Sequence, residues 1–187
     1  VTNAYDDTIT AAVDRYGNLV TVDLVKAVIQ VESGFHAQAY RAEPKYYCRQ
    51  LKLTGDASYG LMQVLYCTAY ALGYRRTPEG LYDPATNIDL GVRYLSSLAR
   101  TKRGDLLSAI SAYNNGVGDR MADGQFRNQV YVDKVLEALG SVVQTLPTVV
   151  ITGRMGEAAP DGTWTTLALI AGALWLAKRF ATPRKSV

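Results

Sequence analysis

Apolar residues recur at helical spacing through most of this chain. Between residues 3 and 16, Ile9, Ala12, Val13 and Tyr16 share one side, which predicts a helix ended by Gly17. A second stripe runs through Val25, Val28 and Ile29. Thr21 stands where a cap is needed, Asp23 falls in the first turn and Gly34 lies just past the end. Asp83 and Pro84 supply a cap and a first residue for a helix through about Arg100, with Ile88, Gly91, Val92, Leu95 and Leu98 toward the core. Asp105 opens a shorter helix that closes at "YNNGVG". After a loop over residues 120–127, Asn128 is placed to cap a last helix through about Leu146, with Val132, Val135, Leu136, Leu139 and Val143 on its face. "GLMQVLYCTAYALGY", from Gly60, also reads as a helix entered from a glycine. Residues 38–57 lack clear periodicity and contain Pro44 and Gly55, so they read as a long loop with room for a short helix or hairpin. The fold class expected is mainly α, with at most a small β element.

One polar residue breaks this pattern. Glu32 follows Val28 and Ile29 on the same apolar stripe, in the last turn of its helix. Burial raises the pKa of a carboxyl group, and so does the negative end of a helix dipole. An acid kept protonated near neutral pH can serve as a general acid. A buried glutamate paired with an arginine, or capping a loop, is the plainer reading of the same pattern.

Composition divides the 187 residues into three parts. Residues 1–146 form one domain. Residues 147–163 are rich in prolines, glycines and small residues and read as a linker. Residues 164–187 begin with the apolar run "WTTLALIAGALWLAKRF" and end basic. Up to Thr152 there are 15 basic and 15 acidic residues, so the excess of +3 lies wholly in the tail. A neutral globular part argues against nucleic acid as its main ligand. An apolar run beside basic residues points to a membrane, or to a partner protein's apolar surface, through residues 164–180. The run is slightly short for a spanning helix, although Lys178 and Arg179 could snorkel. Residues 1–20 carry acids and no continuous apolar stretch, so no signal peptide is read there. Cys48 and Cys67 could form one bridge or remain two thiols. His36 is the only histidine and has no partners for a metal site, so neither metal nor cofactor is expected. It reads as a groove-edge or surface residue.

Four short stretches give Glu32 a context. "ESGF" contains it; "SYGLMQV" covers Ser58 to Val64, "SAYNNG" Ser111 to Gly116, and "NQVYVDKV" Asn128 to Val135. In this order they resemble the catalytic domain of lytic transglycosylases of the soluble type, whose fold is similar to goose-type lysozyme. The resemblance covers roughly residues 1–140 and implies a lysozyme-like α+β fold. It implies that Glu32 is the catalytic acid, and that Gln63, Met62 and Leu65 line the substrate groove, with Ser58 just before that motif. It places Tyr113 and Asn114 on the groove wall and makes Tyr131 the tyrosine that supports the acid. The link between "ESGF" and "GLMQ" is longer than in compact members, and "YRAEP" and "DGQFRNQVYVDKV" look like phage and prophage forms of the domain.

The implied substrate is the peptidoglycan glycan strand. The implied reaction needs one carboxylate, which protonates the bond between N-acetylmuramic acid and N-acetylglucosamine and then serves as base for closure of a 1,6-anhydro ring. Asp56 is the nearest second acid and reads as a turn residue after Gly55. The expected setting is a phage virion acting in the host periplasm or, alternatively, a membrane-anchored protein of the bacterial envelope. Two rivals stand beside this reading: a lysozyme that cleaves the same bond with water, and a silent virion or envelope protein that keeps the fold for glycan binding or assembly.

Overall fold

The computed structural model describes residues 3–16 and 19–144. Six α-helices surround an apolar core: α1 (Asp6–Tyr16), α2 (Val22–Ser33), α3 (Tyr66–Ala71), α4 (Pro84–Thr101), α5 (Leu106–Asn115) and α6 (Gln129–Gln144). A 3-10 helix over Pro78–Tyr82 leads into α4. Three strands, β1 (Tyr40–Cys48), β2 (Leu53–Tyr59) and β3 (Val64–Leu65), form one antiparallel sheet in chain order.

The helix ends follow from local chemistry. Thr21 Oγ1 accepts from the Leu24 N–H at 3.2 Å, Asp83 from Thr86 N–H at 2.9 Å and Asp105 from Ser108 N–H at 3.1 Å. Each satisfies an orphan donor of the first turn. Gly34 and Gly116, at φ 58° and 81°, close α2 and α5 in the left-handed conformation. The core collects Ile9, Val25, Val28, Ile29, Leu61, Met62, Ile88, Val92, Leu95, Val132 and Val135, all essentially buried. α2 packs on α6, and α4 lies against α1 and α5. Gly91 leaves room for Met62, since a Cβ there would lie 2.4 Å from the methionine sulfur.

Residues 40–59 form the hairpin for which the sequence left room, with Arg41 opposite Ser58 and Glu43 opposite Asp56. The register shifts between Glu43 and Tyr47, where Pro44 cannot donate a ladder bond. "GLMQVLYCTAYALGY" contains only the short helix α3. Gly60 (φ 71°) and Gln63 (φ 45°) are both left-handed, which reverses the chain between β2 and β3 and leaves the helix to start at Tyr66. A Cβ on Gly60 would meet Asn87 at 2.6 Å and the Leu81 carbonyl at 2.7 Å, so only glycine fits. A disulfide joins Cys48, at the end of β1, to Cys67 in α3, with Cα atoms 5.6 Å apart.

Asn128 stands at the entry of α6, but its side chain does not cap that helix. Its side chain accepts from Ser111 Oγ at 2.6 Å and from Asn115 at 3.0 Å, and donates to Asn114 Oδ1 at 2.9 Å. It thereby fastens the entry of α6 to α5. Gln129 instead reaches back to the Phe126 N–H at 3.1 Å. The predicted stop at Gly17, the Val143 side chain, the end of the last helix near Leu146, the linker and the apolar run 164–180 lie outside the described residues. Among the described residues no helix is long and apolar enough to cross a membrane.

The turn at residues 60–63 hangs on Asn87, a fully buried amide in α4. It accepts from Met62 N–H at 2.8 Å and donates to the carbonyls of Tyr59 at 2.7 Å and Leu81 at 2.8 Å. Leucine at this position would strip partners from three backbone groups, each costing about 1–3 kcal/mol when buried and unpaired. Asn87→Leu should therefore lose at least about 3 kcal/mol in urea unfolding. A loss below about 1 kcal/mol would mean that other contacts hold the turn.

Candidate active site

α2 delivers Glu32 to a cavity of about 210 Å³. One wall is the sheet, with Arg41, Glu43 and Tyr46 from β1, Ser58 from β2, and Val64 and Leu65 from β3. The opposite wall is Tyr113, Asn114, Asn115 and Gly116 at the end of α5, and Tyr94 of α4 and Thr68 of α3 complete the lining. Glu32 is recessed but reachable. Its neighbour Ser33 turns the other way and donates to the Leu61 carbonyl at 2.7 Å, which ties the end of α2 to the 60–63 turn.

Tyr131, one helix away in α6, donates its hydroxyl to Glu32 Oε1 at 2.6 Å. Burial is the largest influence on Glu32 and raises its pKa above the ordinary carboxylate value. The Tyr131 bond and the charge of Arg41 oppose that rise without cancelling it. The Tyr131 and Tyr113 hydroxyls are pushed far up, first by burial and then by the neighbouring carboxylate, so both remain donors. Tyr113 donates to the Met62 carbonyl at 2.8 Å, and its ring lies 5.4 Å from that of Tyr94.

The cavity gathers Glu32, Ser58, Gln63, Leu65, Tyr113 and Asn114. Gln63 spends its amide donors on the carbonyls of Gly60 at 3.1 Å and Ala39 at 3.2 Å, leaving its oxygen as acceptor. Asn114 accepts from Asn128, which leaves its own N–H groups as donors at the wall. Met62 does not reach the cavity. Its side chain is fully buried, and only its carbonyl serves the site, as the acceptor for Tyr113. Asp56 is absent from the cavity and is no turn residue. It lies within β2 and accepts from Ala57 N–H at 2.7 Å and from Cys67 N–H at 2.9 Å, near the start of α3. His36 is exposed.

Arg41, Glu43 and Tyr46 are cavity residues that sequence reasoning missed, because a long loop with room for a short helix or hairpin assigns no face to its side chains. The alternation in "YRAE" was the available signal. On a strand it sends Arg41 and Glu43 to one face and Tyr40 and Ala42 to the other.

A helical domain with a small antiparallel sheet walling a cleft over one recessed glutamate has the lysozyme-like fold. Residues 8–130 match the family model described as the transglycosylase SLT domain, and the chain belongs to that family. Over 151 residues it is 31% identical to the membrane-bound lytic murein transglycosylase C of Yersinia enterocolitica serotype O:8, covering 72% of this chain and 38% of that protein. The protein of the same name from Edwardsiella ictaluri is 33% identical over 128 residues, covering 61% of this chain and 32% of that protein. The chain thus spans about a third of the length of these curated relatives. The inactive mutant of the lytic transglycosylase Slt from Pseudomonas aeruginosa shares the fold with a TM-score of 0.57 at 22% identity, covering 76% of this chain and 24% of that one.

A carboxyl whose folded pKa lies above its unfolded value opposes folding once it must ionise. The opposition is absent below the unfolded value of about 4.5. It grows as pH rises and is complete above the folded pKa. Glu32→Gln should therefore raise Tm relative to the native chain more at pH 8 than at pH 4. The same difference in Tm at both pH values would show that the site does not penalise the charged form.

Proposed function

We propose that this domain cleaves the β-1,4 bond between N-acetylmuramic acid and N-acetylglucosamine in peptidoglycan by intramolecular transglycosylation. The observation that carries the reading is Glu32, recessed in the cleft with a raised pKa and held at Oε1 by Tyr131. With Oε1 engaged, Oε2 is the oxygen that gives its proton to the glycosidic oxygen as the bond from the muramic acid C1 breaks. The departing sugar leaves with a 4-hydroxyl. The muramic acid 6-hydroxyl then attacks C1 and returns its proton to Glu32, which closes the 1,6-anhydro ring and restores the acid without consuming water. Tyr131 donates to the carboxylate between the two steps, and its raised pKa keeps it in donor form. Asn114 and Gln63 offer a donor and an acceptor to the acetamido groups, while Tyr113 and Tyr94 offer apolar ring surface.

Glu43 favours a second reading. It is another carboxylate lining the cavity, and a hydrolytic lysozyme would use such a group to direct water. Its pairing with Arg41 at 2.7 Å favours the first reading, since that bond occupies Oε1 of Glu43.

The setting we propose is a phage virion that opens the host wall locally during genome entry, which the likeness of "YRAEP" and "DGQFRNQVYVDKV" to phage and prophage sequences supports. A membrane-anchored envelope enzyme is the alternative, supported by relatives named as membrane-bound murein transglycosylases. In either setting residues 164–180 associate with a membrane or an apolar partner surface.

Mass spectrometry of digested peptidoglycan separates the two chemistries. Transglycosylation gives 1,6-anhydro-N-acetylmuramic acid ends. Reducing ends carrying oxygen-18 from labelled water would establish hydrolysis. Glu32→Gln should reduce cleavage by a factor of about 100 or more, while Asp56→Asn, outside the cavity lining, should keep most of it. Near-native turnover in Glu32→Gln would remove Glu32 from the mechanism. In liposome flotation the full chain should rise with lipid and a chain ending at Thr152 should stay behind. If neither binds lipid or a virion protein, the tail assignment fails.

A further inference from the structure

β1 brings two opposite charges into the cavity that the chemistry above does not use. Arg41 donates its Nε–H to Glu43 Oε1 at 2.7 Å, with side-chain exposures of 54% and 33%. An exposed pair of this kind adds little to stability, so holding the strand does not account for its position. Arg41 pairs across the sheet with Ser58, itself a cavity residue, and both line the same space as Glu32. The Arg41 charge acts on Glu32 and on Tyr131. Glu43 lies opposite Asp56 in the ladder, an arrangement that repels like charges. Asp56 is satisfied by backbone N–H groups, so Arg41 is left as the partner of Glu43.

We propose that Arg41 and Glu43 are a positioning pair for the acid: Arg41 stabilises the Glu32 carboxylate once its proton has gone, and Glu43 offsets enough of that charge for Glu32 to be protonated when substrate arrives. This rests on the reading of Glu32 as the acid that later acts as base. Such a group needs both protonation states within reach in one turnover. Burial alone favours the neutral state, and an unopposed arginine beside the site would favour the charged one. The other titratable groups facing Glu32 are Tyr131 from α6, Tyr113 from α5, Tyr94 from α4 and Tyr46 from β1. Burial pushes the hydroxyls of Tyr131, Tyr113 and Tyr94 above the ordinary phenol value, so these three carry no charge. Arg41 and Glu43 are the charged side chains that line the cavity with Glu32; Arg41 acts on the acid, and Glu43 reaches it through its bond to Arg41. Substrate filling the cleft displaces water from around the pair and strengthens both influences.

The two members must act in opposite directions. The test uses the full chain and the variants Arg41→Gln, Glu43→Gln and Arg41→Lys, with two readouts. In the free protein, carbon-13 NMR of labelled glutamate follows the titration of Glu32, assigned by its loss in Glu32→Gln. In turnover, the pH at which peptidoglycan cleavage falls on the alkaline side reports the same group. Arg41→Gln should move both midpoints upward by about 0.5 pH unit or more, and Glu43→Gln should move them downward by a similar amount. Arg41→Lys retains the charge and should stay near the native midpoint. Raising the salt from 0.05 to 0.5 M should shrink each shift. A merely structural pair would move neither midpoint, or both in the same direction, and either result overturns the inference. Loss of cleavage in Glu43→Gln as deep as that in Glu32→Gln also overturns it and makes Glu43 a catalytic carboxylate. The free-protein titration is read whether or not glycan is cut. Absence of turnover in the native chain thus counts against the proposed function, and unshifted titrations count against the pair.

Discussion

The side-chain amide of Asn87 is the strut on which the cleft depends. The chain between β2 and β3 must reverse inside the protein, where its backbone groups find no water and no regular ladder. Asn87 supplies one acceptor and two donors from a rigid helix to groups of Tyr59, Met62 and Leu81. Both walls of the cleft inherit their place from this contact. The turn leads directly into Gln63 and β3, and the Met62 carbonyl it positions is the acceptor for Tyr113 on the opposite wall. Gly60 and Gly91 complete the fit by omission, since a side chain on either would occupy space used by Asn87 or Met62.

Glu32 shows the opposite economy. A carboxyl on a buried helix face is unfavourable for stability, and the surroundings relieve it only in part. Tyr131 meets one oxygen, and Arg41 acts from the sheet without salt-bridging to it. Full pairing would leave an ordinary ionised glutamate with no proton to give. Partial relief leaves an acid that can release its proton and take one back. Its fold tolerates the penalty because α2 is otherwise well anchored, capped at both ends and packed on α6.

The hairpin is what turns a helical bundle with a recessed acid into a cleft. It adds a second wall that brings Arg41, Glu43 and Tyr46 into the cavity. Its strands are largely exposed, so burial contributes little to holding them. Three other devices do so: the Cys48–Cys67 disulfide, the Asp56 bond to the Cys67 N–H, and the Gln63 bond to the Ala39 carbonyl. Two of the three converge on α3, which makes that short helix the abutment for the wall.

The sequence alone determined five of the helices, the caps of three of them at Thr21, Asp83 and Asp105, and the placement of Glu32 on an inward face. Those features depend on neighbours within one or two turns, so periodicity and capping residues encode them directly. The resemblance carried by four short stretches pointed to the family. Tertiary structure decided the rest. "GLMQVLY" has helical periodicity, yet two left-handed residues and a long-range amide bend it into a turn and a strand. Asn128 stands where a cap is expected, yet α5 offers its side chain more bonds than its own helix does. Arg41 and Glu43 follow Glu32 closely in sequence, yet they share its cavity only because β1 pairs with β2. The bond from Tyr131 to Glu32 spans 99 positions. Contacts of that kind are made by packing, and no local rule of propensity can register them.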